Sequence, residues 1–338
     1  MSEFTRTGLG AIIAPSIFRI VSIDCKPEGK MFRMTASLYH ATYSLEVTWT
    51  SNQPLDSSFR PGLLASPQGF PDYARPNALN HIRHLQLVDS IARIGNLFAT
   101  VPKSWVSDRP LVGRACALWD GLPEDFQDLF NTIFLNAARF QRFCQGPSST
   151  HGHHSEVNGN LRHTIEVAEA VQRDLKLFAR ADAGVAIMAA LLHDAGKVDE
   201  YIESQNRYEL SERGKLLGHK ITVTEWVAVA RSQLNGKIPE PHYLSLMHAL
   251  TATPDRTDYS GLRPRVTPES ELVALADCGS GKADLHNQCG SDKGGWGKAH
   301  PHLRGAPYTV PERPVPLRGL AAVAQRVKER TQDGHAQM

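Results

Sequence analysis

Over Leu45-Glu-Val-Thr-Trp-Thr50, apolar residues alternate with polar ones and place Leu45, Val47 and Trp49 on one side. That is the period of a half-buried strand. Two earlier stretches, Ile17 to Ile23 and Met31 to Leu38, also have extended character, separated by a turn at Lys26-Pro-Glu-Gly-Lys30. A connection rich in Pro and Gly, at Pro61-Gly62 and from Pro67 to Pro76, leads to a further extended stretch from His84 to Ile91. These features predict a small all-β module of about five strands within residues 1–110.

The pattern changes after Pro110. Between Pro123 and Phe143, Phe126, Leu129, Phe130, Ile133, Phe134 and Ala137 have the spacing of one amphipathic helix. Further helices are predicted near 161–179, 182–193, 219–234, 240–250 and 268–277. The last opens with Thr267 as N-cap and Pro268 at the first helical position. The expected fold class is therefore α+β multidomain, with a small N-terminal β-barrel followed by an all-α domain over 111–283. Residues 284–338 turn to Gly, Pro, His and basic residues without periodicity until Leu317 to Val327, which predicts a poorly ordered basic tail with one short helix.

With 338 residues, 41% hydrophobic and 21% charged, the chain has ordinary globular composition, which excludes collagen-like, coiled-coil and wholly disordered classes. The net charge of +2 announces no nucleic-acid binder, but it is an average. Residues 1–110 hold 11 Lys+Arg against 8 Asp+Glu, and residues 286–338 hold 8 against 4, so any positive path is local. Five cysteines form no CxxC pair, which argues against a zinc knuckle or a disulfide framework. No apolar run approaches the roughly 20 residues of a membrane span, and Met1 to Arg6 lacks the start of a signal peptide. A cytoplasmic protein with no membrane partner is expected.

The strongest chemical signal is Leu191-Leu192-His193-Asp194-Ala195-Gly196-Lys197, where an apolar helix ends in adjacent His and Asp. Such a pair offers one imidazole nitrogen and one carboxylate oxygen to a divalent cation, and Gly196 lets the chain turn away. The plainer reading is a His favoured by the helix dipole at a C-terminus. His163 on the preceding helix and Asp277 at the end of the last one complete a candidate set of four ligands, His163, His193, Asp194 and Asp277.

The order His, His-Asp, distant Asp is that of the HD-domain metal-dependent phosphohydrolases, and the chain resembles the YhaM family of three-prime to five-prime exoribonucleases. The matching stretches are His153-His154, Gly159-Asn160-Leu161-Arg162-His163-Thr164, Ala190 to Lys197, Leu217-Gly218-His219-Lys220, Leu246-Met247-His248-Ala249-Leu250 and Ala276-Asp277. The resemblance spans about residues 15–282 and implies an OB-fold-like module joined to an HD domain. It departs from the family where Thr253 and Pro254 stand in place of a His-His pair and where Ser280 stands in place of a second acid, which leaves one metal ion and two as alternatives.

The resemblance implies a hydrolase acting on single-stranded RNA or DNA through water activated by a divalent ion (Mn, Mg, Fe or Co). Lys197 would hold a phosphate oxygen, His154 would act with Asp194 in catalysis, and His153 and Arg162 would contact substrate. His219 and His248 would serve as phosphate contacts or second-metal ligands; Arg213 is a weaker candidate. In the β module, Phe18, Phe32, Tyr39, Tyr43 and Trp49 are interleaved with Arg19, Lys26, Lys30 and Arg33, a pattern compatible with base stacking in a basic groove. Core packing is the plainer reading for each ring, Trp49 above all. A non-catalytic nucleic-acid-binding protein, a nucleotide phosphohydrolase and a relaxase-related DNA-processing protein are the alternatives, and a homo-oligomer is left open. Gly279-Ser280-Gly281-Lys282 lacks the spacing and following Ser or Thr of a phosphate loop.

Overall fold

The computed structural model describes residues 16–69, 78–91, 94–150, 152, 154–205, 207–254 and 261–312. Two compact units divide between Gly281 and Lys282. The first begins with β1 (Phe18–Glu28), β2 (Met31–His40), β3 (Tyr43–Ser51), β4 (Leu64–Gln68), β5 (Leu79–His81) and β6 (His84–Leu87). These pair in the order β5-β3-β2-β1-β4-β6. The predicted alternation holds in β3, where Leu45, Val47 and Trp49 are buried with Met34, Ala36 and Leu38 from β2. Only Ile82 and Arg83 separate β5 from β6. The Ile82 N–H donates to Thr48 and the Arg83 N–H to Gln68, so one continuous stretch pairs with β3 and then with β4. That exchange curls the sheet into a six-stranded half-barrel.

The mainly helical region follows, with α1 (Arg109–Asp120), α2 (Glu124–Phe134), α3 (Ala137–Gln145), α4 (Gly159–Asp174), α5 (Ala183–Leu192) and α6 (Lys197–Glu200). The hairpin β7 (Tyr201–Ser204) and β8 (Arg207–Leu210) precedes α7 (Glu212–Leu216), α8 (Gly218–Gln233), α9 (Glu240–Thr251) and α10 (Pro268–Cys289). The single helix predicted from Pro123 to Phe143 is two. The side chain of Asn136 accepts from the Arg139 N–H and starts α3 afresh, a capping signal that the continuous apolar spacing hid. The last helix continues past Asp277 to Cys289, through Gly279 and Gly281. Helix interiors disfavour Gly by about 1 kcal/mol each, but Leu272, Val273 and Ala276 are buried along this helix and offset that cost.

No helix among the described residues is long and apolar enough to cross a membrane. In the second unit, β9 (Gly295–Trp296) pairs with β10 (Tyr308–Thr309), so part of the stretch expected as a disordered tail forms a small hairpin. The helix predicted from Leu317 to Val327 lies outside the described residues.

Arg19, grouped in the sequence with candidate groove residues, is instead 1% exposed. Its guanidinium donates to the Gly62 carbonyl at 2.7 Å and to the Thr100 hydroxyl at 2.7 Å, and it lies over the rings of Trp105 and Phe140. It therefore joins the half-barrel to the start of the helical region. Phe18 and Trp49 are likewise core, and the Tyr39 hydroxyl accepts from Arg109.

Candidate metal centre

The ten residues of α5 are apolar and packed on nearly every side, which makes the helix the axis of the core. Asp182 caps its start by accepting from the Val185 N–H at 2.8 Å. The buried Glu269 of α10 accepts from the Asp182 N–H at 2.7 Å and from the Ser245 hydroxyl of α9 at 3.2 Å. This polar junction sets α5 against α10, and so sets where His193 and Asp277 meet.

At the other end of α5, four side chains converge. His163 Nε2 lies 3.3 Å from His193 Nε2, 3.1 Å from Asp277 Oδ1 and 3.4 Å from Asp194 Oδ2. His193 Nε2 lies 3.6 Å from Asp194 Oδ2 and 3.9 Å from Asp277 Oδ1. Donor atoms of His163, His193 and Asp277 all fall within 4.8 Å of one another. A cation about 2.1 Å from each donor needs neighbouring donors roughly 3.0–3.4 Å apart, so the observed spacings suit one ion with small adjustments. His163 and His193 are buried, whereas the Asp277 side chain is 48% exposed and opens the group to solvent.

Both imidazoles are held in the tautomer a ligand requires. The Ala190 carbonyl can only accept, so His193 Nδ1 donates to it at 2.8 Å and leaves the Nε2 lone pair facing the group. His163 is fixed by a longer relay. The Ser280 hydroxyl donates to Glu166 Oε2 at 2.9 Å, so its oxygen accepts from His163 Nδ1 at 3.1 Å. Ser280 lies one turn beyond Asp277 on α10, and Glu166 one turn beyond His163 on α4. Such partners orient metal-ligating histidines. The place where the sequence resemblance implies a second acid therefore holds a hydroxyl that positions His163.

The electrostatics are those of a buried ion cluster. Burial disfavours charge on His163, but hydrogen bonds to Asp194 and Asp277 outweigh it and raise its pKa to about 9. Burial dominates at His193 and keeps its pKa below the ordinary value, so this imidazole is neutral. Burial also opposes the charge on Asp194, yet the Lys197 ammonium and the hydrogen bond from His163 hold its pKa well below the usual range. Lys197 Nζ sits 2.5 Å from Asp194 Oδ2 and 3.3 Å from the Ser148 hydroxyl. Gly196 is expected from the sequence to turn the chain by its conformational freedom, but its φ of −64° is one that any residue adopts. It is needed for close approach, because a Cβ there would lie 2.1 Å from the His219 carbonyl oxygen.

The other predicted site residues are placed as follows. His219 donates from Nδ1 to Glu200 at 2.6 Å, and its Nε2 lies 3.6 Å from Asp194 Oδ1, at the edge of the cluster. His154 is buried with a left-handed φ of 49° and pairs with Glu166 Oε2 at 3.1 Å, which places it behind His163 at the end of the relay. His248 is not part of the group; its Nε2 accepts from the Val266 N–H. Arg162 pairs with Asp108 at 3.2 Å, and Arg213 pairs with Glu225. His153 lies outside the described residues. Glu166 was missed, its spacing of three from His163 being the one signal of its role.

Two concavities accompany the centre. One, of about 760 Å³, is bounded by α3, α6 and the β7–β8 hairpin and shares Lys197 with the cluster. The other, of about 530 Å³, lies on the half-barrel and is lined by Met31, Trp49, Phe59, Arg83 and His84 among others. No family model, curated protein or solved structure matches the chain.

Proposed function

We propose that this chain is a metal-dependent phosphodiesterase that removes nucleotides from the three-prime end of single-stranded RNA or DNA. The observation that carries the reading is the convergence of His163 Nε2, His193 Nε2 and Asp277 Oδ1 from three helices onto one point, both imidazoles being fixed by hydrogen bonds at Nδ1. Two imidazole nitrogens and a carboxylate oxygen suit a borderline divalent ion such as manganese, iron or cobalt. A divalent ion held there lowers the pKa of water and offsets charge on phosphoryl oxygens.

The protein's own groups then have separable tasks. His163, His193 and Asp277 bind, with Asp194 as the fourth donor. Ser280, Glu166 and the Ala190 carbonyl orient the two imidazoles. Lys197 keeps Asp194 ionised and stands where it can pair with an anionic phosphoryl oxygen once substrate arrives. His219, steadied by Glu200 at the edge of the cluster, would hold a second phosphate oxygen. The concavity on the half-barrel, with the partly exposed Phe59 and the exposed Arg83 in its wall, suits a strand that stacks a base there.

A second reading, a strand-binding protein without catalysis, is favoured by the short contact between Lys197 and Asp194, which occupies the carboxylate oxygen nearest the imidazoles. The test is incubation of the purified chain with end-labelled single-stranded RNA and DNA, with and without manganese, beside Asp194→Ala. Stepwise release of nucleoside monophosphates by the manganese-loaded wild type alone supports the exonuclease. Binding without cleavage under manganese, magnesium, iron and cobalt overturns it in favour of the second reading.

A further inference from the structure

The 760 Å³ cavity beside Lys197 is within the range of small-molecule sites, about 300–1,000 Å³. Its walls have three features that point to one ligand chemistry. Asn160 of α4 is 1% exposed, yet its amide oxygen has no hydrogen-bond partner. A buried amide left unpaired costs about 1–3 kcal/mol, so a side-chain adjustment that turns this oxygen to a partner in the cavity would relieve a standing penalty. Next to it, Gln141 donates to Gln145 at 2.9 Å. That bond uses one donor and one acceptor and leaves the pair a carbonyl oxygen and an NH2 for a further partner.

The third feature is aromatic. In the β7–β8 register, Tyr208 lies opposite Glu203, and Glu203 is two residues from Tyr201. Tyr201 and Tyr208 therefore share one face of the hairpin, and both line the cavity. Amide donors and acceptors together with two phenol rings are what a flat heteroaromatic ring with polar edges requires.

Charge sets the orientation. Each cation in the walls already has an acid partner: Arg142 pairs with Asp199 at 2.8 Å, Arg213 with Glu225 and Lys197 with Asp194; with Glu203 and Glu212 also in the walls, the interior does not attract a phosphate. Lys197 at its boundary rests on Asp194 and belongs to the cluster as well. We infer that the cavity is a base-binding subsite: it takes the nucleobase of a nucleoside monophosphate unit whose phosphate lies toward Lys197 and the His/Asp cluster. The placement of the phosphate rests on the phosphodiesterase reading; the recognition of the base does not.

The test is isothermal titration calorimetry of the full chain, with and without manganese, against the four ribonucleoside 5′-monophosphates and ribose 5-phosphate. Stacking and base hydrogen bonds predict that at least one nucleotide binds about tenfold or more tightly than ribose 5-phosphate. Tyr208→Ala and Asn160→Ala should bring that ratio to within about threefold while leaving ribose 5-phosphate binding unchanged. Circular dichroism checks the fold of the buried Asn160 variant, and Tyr208, on the hairpin, gives an independent reading. Ribose 5-phosphate binding as tightly as every nucleotide, or a ratio unchanged in a folded Tyr208→Ala, overturns the proposal. Base discrimination in a protein that cleaves no phosphoester leaves the subsite standing and sinks the phosphodiesterase reading; cleavage without base discrimination does the reverse.

Discussion

Ser280→Ala removes one oxygen atom and, with it, the hydroxyl that links His163 Nδ1 to Glu166. The hydroxyl accepts from the imidazole at 3.1 Å and donates to the carboxylate at 2.9 Å, so both bonds vanish together. Losing a partner of this kind lowers metal affinity about 10–100-fold, or roughly 1.4–2.7 kcal/mol. That is comparable with one hydrogen bond to a charged group, about 1.5–3 kcal/mol. The assay is competition between the protein and a fluorescent chelator for manganese. Ser280→Thr keeps the hydroxyl and should stay near the wild type, and Glu166→Gln keeps an acceptor and should fall between. Thermal denaturation separates loss of positioning from loss of fold. Affinity of folded Ser280→Ala within about twofold of the wild type would refute the claim that this residue positions His163.

Four further outcomes follow from the geometry. Arg19→Ala removes the guanidinium donors from the Gly62 carbonyl and from the Thr100 hydroxyl, which keeps only its bond to the Leu97 carbonyl, and opens a cavity beside Trp105 and Phe140; a loss of about 3–5 kcal/mol is expected in urea denaturation, and a loss below about 1 kcal/mol would contradict it. Because metal binding must displace the His163 proton, manganese affinity should rise with pH up to about 9 and then level, with proton release visible in calorimetry across buffers of different ionisation enthalpy. The same raised pKa stabilises the metal-free fold fully below about 6.5 and is lost as pH rises through about 9, a slope that His163→Ala should lack. Gly196→Ala drives a Cβ to 2.1 Å from the His219 carbonyl, so α8 must shift; destabilisation of about 1–3 kcal/mol together with weaker metal binding is expected, and a neutral result would remove the close approach as a constraint.

The helix that carries the site was legible because an unbroken apolar run that ends in His193-Asp194 buries two ionisable groups, and buried ionisable groups need partners or an ion. Asp277 was legible by type and order, but the helix around it was cut short at Gly279 and Gly281, since local propensity does not register the packing that carries α10 through them. Ser280 stood out in the sequence only as a missing acid; its hydroxyl acquires a role when α10 brings it to His163. Glu166 looks like any surface acid until α4 is wound and its side chain meets His154 and Ser280. Tyr201 to Leu210 is too short and too polar to announce a hairpin, so the cavity it walls was invisible. Arg19 read as a solvated groove charge because nothing in the β pattern shows that a helical region will cover that strand.

The central claim is a single cation held by His163, His193 and Asp277. Its most direct measurement is the metal content of the full chain after dialysis against manganese, read by plasma mass spectrometry beside His193→Ala and Asp277→Ala of verified fold. Close to one manganese per wild-type chain and almost none in either variant is the expected result. A wild type without stoichiometric metal, or variants that retain it in full, would contradict the claim.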